Sequence, residues 1–317
     1  MKPYRWKRVL GICTAAVLGL SFPAYAVTIT PLNPGTGQSS SSEPSGTGAP
    51  ASQENTERLN IAQPVVSSEG AVLMDGASGK VLFSKNGDTR YYPASITKVM
   101  TALLTLEHGN MDDEITLKHD INLTEDGAVI STLTKGDTVT VGQVFHTMLI
   151  KSANDCAVIL AEYVAGSEAK FIDMMNERAR ELGATHTHFV NPNGLHNNDH
   201  YTTAYDLYLI FKEAVKHEEF VDTVSSKDYT MTYTTAKKTQ INEYMQSTNY
   251  YLLNEFPVPE GVVMYGGKTG TTSMAKSCLI LMTKNKKGER FFSVVLGAET
   301  KEALYSSMTR LLEKTTN

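Results

Sequence analysis

Strand-like runs lie at the two ends of the folded body and helix-like runs lie between them. That order constrains the fold more than any other feature. Residues 71–75 (Ala-Val-Leu-Met-Asp) and 80–84 (Lys-Val-Leu-Phe-Ser) flank Gly76-Ala77-Ser78-Gly79, the apolar–turn–apolar pattern of a β-hairpin. Near the other end, residues 277–283 and 290–297 form a second pair around Lys286-Lys287-Gly288-Glu289, and residues 301–312 follow as a terminal helix. Hairpins so far apart can complete one antiparallel sheet if the intervening chain folds as an insertion. The predicted class is α+β: an antiparallel sheet flanked by helices, with an inserted, mostly helical subdomain. A cleft between sheet and insertion is the natural place for a site.

The insertion carries its own helix signals. Pro93 stands where a helix would begin, and the apolar run after Ser95 reaches Glu107 before Gly109. Residues 114–140 hold short β-like pieces around turn residues such as Gly127 and Lys135-Gly136-Asp137. Thr140-Val141-Gly142-Gln143 has the form of a capping box before an apolar helix to Ile150. After the turn Lys151-Ser152-Ala153-Asn154, a helix from Asp155 to Ala165 ends at Gly166. A second runs from Ser167 to Leu182, with Phe171, Met174, Met175 and Leu182 as its apolar stripe. A third opens at Thr203 and extends to Lys216, and β-like residues recur at 229–235.

The first 60 residues read differently. Lys2, Arg5, Lys7 and Arg8 precede an apolar run from Val9 to Leu20 and then Ala24-Tyr25-Ala26. This is the three-part form of a secretory signal over residues 1–26. An uncleaved anchor is the alternative, and the apolar core is short for a membrane span. Residues 27–60, with Ser39-Ser40-Ser41-Ser42, are poor in apolar side chains and read as a flexible low-complexity spacer. The folded domain is expected over 61–317. Without the leader's four basic residues, 25 basic side chains face 34 acidic ones, a balance of −9. An exported chain of that charge is a poor nucleic-acid binder. Cys13 lies in the leader. Cys156 and Cys278 sit in apolar runs and read as buried thiols rather than a bridge.

The chemistry begins at Ser95 and Lys98. Residues three apart share a helical face, so hydroxyl and amine would stand side by side. Serine needs a base to become a nucleophile, and a lysine whose pKa is lowered by burial or nearby positive charge can be that base. A helix N-terminus adds free N–H groups suited to a developing oxyanion. The pattern alone is weak, because Ser167/Lys170 and Ser273/Lys276 repeat it. Two further motifs follow Ser95 in order, Ser152-Ala153-Asn154 and Lys268-Thr269-Gly270. Taken singly, each is an ordinary turn.

The ordered trio resembles the serine penicillin-recognising enzymes. Further stretches narrow the resemblance to the low-molecular-mass penicillin-binding proteins, the serine-type D-Ala-D-Ala carboxypeptidases of peptidase family S11. These are Thr187-His-Phe-Val-Asn191-Pro-Asn-Gly194-Leu195, His200-Tyr-Thr-Thr203-Ala-Tyr-Asp206-Leu207, Ser247-Thr248-Asn249-Tyr250-Tyr251-Leu252-Leu253 and Val294-Val295-Leu296-Gly297-Ala298. Together they cover roughly residues 60–314. The resemblance implies a penicillin-binding-protein/β-lactamase-like fold and no cofactor. It implies peptidoglycan stem peptides ending in D-Ala-D-Ala as substrates and β-lactams as covalent inhibitors. It also assigns roles: Ser95 as nucleophile, Lys98 as its base, Ser152 as proton relay, and Asn154 as holder of a substrate amide and of Lys98. Lys268 and Thr269 would receive the terminal carboxylate and Gly270 would let the strand approach the substrate. The N–H groups of Ser95 and Thr271 would form the oxyanion hole.

Two departures accompany it. Thr271 stands where many members carry histidine or an aromatic residue, which bears on substrate preference. The β-rich second domain and C-terminal amphipathic anchor of many members are not expected here. A β-lactamase, a D,D-endopeptidase and a non-catalytic wall-binding relative are the alternatives. The stretch 185–201 lacks the glutamate that a class A β-lactamase uses for deacylation. His186, His188, His196 and His200 raise a zinc site, but no His-Glu-x-x-His is present. His200 and Asp206 could suggest a Ser–His–Asp triad, yet nothing in the sequence places them near Ser95.

Overall fold

The computed structural model describes residues 65–316 apart from 124, 126 and 127. The leader, the spacer, the onset of the folded domain near residue 61 and the turn at Gly127 lie outside the described residues.

The first hairpin forms as expected, with β1 (Gly70–Asp75) antiparallel to β2 (Val81–Lys85). Pro93 then introduces a 3₁₀ turn, Ala94–Thr97, which continues into α1 (Lys98–His108). Every residue of α1 from Lys98 to Thr105 is buried, so it is the central helix of the insertion. Short strands β3 (Glu114–Thr116) and β4 (Thr138–Thr140) lead to α2 (Val141–Ile150). Both halves of the expected capping box are present on α2: Thr140 accepts from the Gln143 N–H, and the Gln143 side chain accepts from the Thr140 N–H. Helix α3 (Asn154–Ala165) ends at Gly166 in the left-handed region, and α4 (Glu168–Glu181) starts from a Ser167 cap. Thr203 caps α5 (Ala204–Ala214).

The next stretch contains the expected strand near 229–235 but also two elements not expected from the sequence, a helix before it and a second strand after it. It holds a further helix, α6 (Glu218–Ser225), then β5 (Asp228–Thr234) and β6 (Gln240–Gln246). These strands join the short ones in a second antiparallel sheet, ordered β3-β4-β5-β6. The insertion is therefore helical with a small sheet of its own. On β6 only Met245 is buried, so the alternation that marks a half-buried strand is faint there.

The chain returns through β7 (Val262–Thr272), β8 (Lys276–Asn285), β9 (Arg290–Ala298) and α7 (Lys301–Leu312). The main sheet is ordered β2-β1-β9-β8-β7 with antiparallel neighbours, so the first and last hairpins do share one sheet. Alternate residues serve its two faces. Leu73, Leu279, Leu281 and Val295 pack with Leu304, Tyr305 and Met308 of α7. Val72, Ile280, Val294 and Leu296 pack with Leu207, Tyr208 and Phe211 of α5. Burial on both faces explains why residues 278–282 read as an unbroken apolar run. Strand β7 is one of the two edges of this sheet and lies against the 3₁₀ turn that carries Ser95. Cys156 and Cys278 are free and buried. No helix of the described residues is long and apolar enough to cross a membrane.

Candidate active site

Ser95 sits on the 3₁₀ turn rather than in the first turn of an α-helix. The 3₁₀ repeat still aligns residues three apart, and Lys98 Nζ lies 2.9 Å from Ser95 Oγ. The same nitrogen is 2.7 Å from Asn154 Oδ1 and 2.6 Å from the Asn193 carbonyl oxygen. Both of those atoms are acceptors. A neutral amine has two N–H bonds and one lone pair. With both N–H groups given to the two carbonyls, the lone pair is left for the Ser95 hydroxyl, which then donates. Lys98 is fully buried, and burial, aided by the nearby charge of Lys268, pushes its pKa well below the usual lysine range. Burial therefore shifts the balance toward the neutral amine, the form a base requires.

Ser152 ends the turn after α2 with φ +66°, and Asn154 begins α3. The Asn154 side-chain N–H₂ donates to the Val129 carbonyl at 3.0 Å, which turns its Oδ1 toward Lys98. Lys268 Nζ donates to Ser152 Oγ and to the Thr269 carbonyl, both at 2.9 Å. Burial pushes Lys268 down to about 7. Its ammonium is therefore half-populated at neutral pH and is buried beneath the cleft rather than presented on its surface.

The Lys268-Thr269-Gly270 motif is the middle of β7, not a turn ahead of a strand. A Cβ on residue 270 would stand 2.9 Å from the Pro93 carbonyl oxygen and 3.0 Å from the Ser95 nitrogen. Glycine there lets the strand edge close onto the backbone of Ser95. Thr269 Oγ1 meets Thr248 Oγ1 at 2.5 Å, and Thr271 is exposed. Ser95, Ser152, Asn154, Thr269, Gly270 and Thr271 line one cavity of about 380 Å³. Lys98 and Lys268 lie buried behind it.

The segment 187–201 closes one side of this cavity and is fastened to the 3₁₀ turn and to α1. Thr101 Oγ1 donates to the Pro192 carbonyl at 2.5 Å. His200 Nδ1 accepts from the Val190 N–H at 3.1 Å, so its Nε2 carries the hydrogen and donates to Thr97 Oγ1 at 2.8 Å. Burial pushes the His200 pKa to about 3, which keeps the ring neutral. Gly194 has φ +86°, and a Cβ there would fall 1.9 Å from the Ala94 carbonyl oxygen. Ala94 itself holds φ +47°. Left-handed backbone at non-glycine residues costs about 1–3 kcal/mol, and here it occurs at Ala94 and Ser152, beside both serines.

The sequence singled out the eight motif residues, and the structure brings all of them to one place. The Asn193 carbonyl, Val129, Thr248 and Gly194 are additional. Only Thr248 and the 187–195 segment carried any signal, as part of the resemblance. The other two Ser-x-x-Lys copies have separate employment. Ser167 caps α4, and Lys276 pairs with Glu69 and Glu299. Asp206 accepts from the His186 N–H and Thr187 Oγ1, so no Ser–His–Asp line forms with His200. His188 Nδ1 bonds the Asp199 carbonyl and the His196 ring packs edge-on against Tyr92. Among the described residues, no three or more His, Cys, Asp or Glu side chains are grouped as metal ligands.

The family model for D-alanyl-D-alanine carboxypeptidase, peptidase S11, matches residues 57–300. This chain belongs to that family. It is 36% identical over 252 residues to D-alanyl-D-alanine carboxypeptidase DacF of Bacillus subtilis, a match covering 77% of this chain and 61% of that protein. To the D-alanyl-D-alanine carboxypeptidase of Streptomyces sp. strain K15 it is 30% identical over 268 residues, covering 81% and 90%. The crystal structure of the Streptomyces K15 DD-transpeptidase superposes with a TM-score of 0.72 at 28% identity, covering 80% of this chain and 98% of that one. The chain spans about three-fifths of the length of DacF and of the Escherichia coli family member DacC. The penicillin-binding-protein-like α+β fold follows from this membership and from the sheet order above.

Proposed function

We propose that this chain is a serine D-Ala-D-Ala carboxypeptidase that removes the terminal D-alanine from peptidoglycan stem pentapeptides. The observation that carries the reading is the Lys98 amine. It is buried, with its pKa lowered by burial, and lies within hydrogen-bond reach of two carbonyls and of Ser95 Oγ, so that in its neutral form the lone pair faces Ser95. Lys98 takes the Ser95 proton as Oγ attacks the penultimate D-alanyl carbonyl. The N–H groups of Ser95 and Thr271 stabilise the oxyanion; losing one such donor costs about 3–4 kcal/mol of barrier. The C–N bond then breaks, and the Ser152 hydroxyl relays a proton to the departing D-alanine nitrogen. Water hydrolyses the acyl-enzyme with Lys98 again as base.

The substrate's terminal carboxylate lies beside Lys268 and Thr269. Its charge favours the protonated form of Lys268, whose pKa near 7 lets it respond. Asn154 holds a substrate amide while it positions Lys98. β-Lactams acylate the same serine. Residues 1–26 direct export, residues 27–60 act as spacer, and residues 61–317 form the catalytic domain of a cell-wall or periplasmic enzyme that trims peptidoglycan and so bears on cell shape. D,D-endopeptidase action on cross-links, or transfer of the acyl group to an amine, would use the same residues. The name of the Streptomyces K15 relative favours keeping transfer as the second reading.

The test is labelling by a fluorescent penicillin, wild type against Ser95→Ala. Wild type takes the label and the variant does not. Equal labelling, or none in wild type, overturns the reading. Release of D-alanine from a stem pentapeptide then identifies the carboxypeptidase.

A further inference from the structure

A second cavity, of about 950 Å³, opens beside the catalytic cleft. It lies where the rest of a bound substrate has to go. With the terminal carboxylate beside Lys268 and Thr269 and the reacting carbonyl beside Ser95 and Gly270, the chain is aligned along β7. Its remaining residues point past Thr272 toward the turn that joins β7 to β8. Thr272 lines the catalytic cleft and also a narrow gap walled by Tyr92 and His196. Tyr92 in turn lines the large cavity, together with Met274 and Ala275 of that turn. The three spaces thus share walls in sequence. From Gly270 the strand runs only two residues, about 7 Å at ~3.4 Å per residue, before the turn that holds Met274 and Ala275 begins. The part of a stem pentapeptide upstream of the cleaved bond spans ~13 Å when extended and so reaches past the end of the strand to that turn. Its sugar-bearing end therefore arrives at the second cavity.

The walls suit a neutral, hydroxyl-rich ligand. Both charge signs line the cavity, but two of the four charged groups are committed elsewhere. Lys85 Nζ donates to the Val66 and Ser68 carbonyls, and Glu69 pairs with Lys276. Arg90 and Asp199 remain, next to the amide of Asn198. The Arg90 guanidinium lies 4.3 Å over the Tyr201 ring, and among the described residues it makes no ion pair. Guanidinium, carboxylate and amide groups can each bind sugar hydroxyls or an acetamido group in pairs, and tyrosine rings accept the C–H faces of a pyranose. A polyanion would meet Asp199, and an apolar ligand would leave these polar groups unpaired.

We propose that this cavity is a glycan subsite, which receives the N-acetylated amino sugar to which the stem peptide is attached. The proposal rests on the D-Ala-D-Ala peptidase reading above. It is tested by comparing kcat/KM for a bare stem pentapeptide with that for the same peptide carrying its disaccharide. Wild type is set against the double variant Arg90→Ala/Asp199→Ala, both positions being exposed. In wild type the sugar raises kcat/KM about tenfold, the worth of one or two net hydrogen bonds, mainly through KM. The double variant loses that gain but cleaves the bare peptide and takes penicillin label as wild type does. A wild type that cleaves both substrates equally well overturns the proposal. So does a gain that survives in the variant, or an equal loss on both substrates, which would place these residues in service of the catalytic site itself. A wild type that neither cleaves the bare peptide nor takes label sinks the peptidase reading instead, and the two failures are distinct.

Discussion

Lys268→Met is expected to make the protein more stable at neutral pH while abolishing its chemistry. Lys268 is buried, and burial lowers its pKa from 10.5 to about 7. Between those values the unfolded chain holds a proton that the folded protein does not, so wild-type stability rises with pH across that window. Below pH 7 the burial of this one amine costs about 5 kcal/mol, and at pH 7 about 4 kcal/mol, at ~1.4 kcal/mol per pKa unit. Methionine has a similar volume and no such penalty. It leaves Ser152 Oγ and the Thr269 carbonyl without the Lys268 donor, which costs about 1 kcal/mol each. The variant is therefore more stable than wild type by about 2 kcal/mol at pH 7. The gap narrows to about 1 kcal/mol at pH 8 and vanishes at about pH 9. Urea unfolding of both proteins at pH 6, 7, 8 and 9 measures the difference directly. A difference that does not vary with pH, or a variant less stable at pH 6, refutes the placement of Lys268 as a buried, reluctantly charged amine.

Asn154→Ala removes one of the two carbonyls that fix the Lys98 lone pair on Ser95, as well as the bond to Val129. Acylation by a chromogenic β-lactam should slow ~10²-fold, and a rate within twofold of wild type would remove Asn154 from that role. Gly194→Ala adds a Cβ at φ +86° and 1.9 Å from the Ala94 carbonyl oxygen. A thermal melt should show a loss of about 2–4 kcal/mol or failure to fold, whereas an unchanged Tm would mean that the segment is free to move off the nucleophile turn.

Legibility from sequence divides along a physical line. The terminal hairpins, the Thr140–Gln143 capping box, the Gly166 stop and α7 are local features, set by neighbouring residues. The second sheet is not local. Strands β3 and β4 are three residues each, and β5 meets β4 through Thr138 and Thr234, far apart in the chain. Helix α6 has eight residues, too few for periodicity to stand out. Within the site, side-chain identities at Ser95, Lys98, Ser152, Asn154 and Lys268 were legible because chemistry restricts the residue type. The second acceptor for Lys98 was not, because a backbone carbonyl belongs to every residue and only the fold selects the one at Asn193. Ser95 also lies on a 3₁₀ turn that opens at Ala94 with φ +47°, a conformation its residue type does not announce.

The lowered pKa of Lys98 has a consequence for when Ser95 can become reactive. Two elements from distant parts of the chain, the Asn154 helix and the Asn193 segment, must close over the amine before its proton is displaced. In an unfolded chain Lys98 titrates near its ordinary 10.5, and Ser95 is then no more reactive than any other serine. Any such reactivity is thus a product of folding, because desolvation of the amine is what lowers its pKa. A chain crossing a membrane unfolded would carry this hydroxyl in latent form and arm it on the side where it folds.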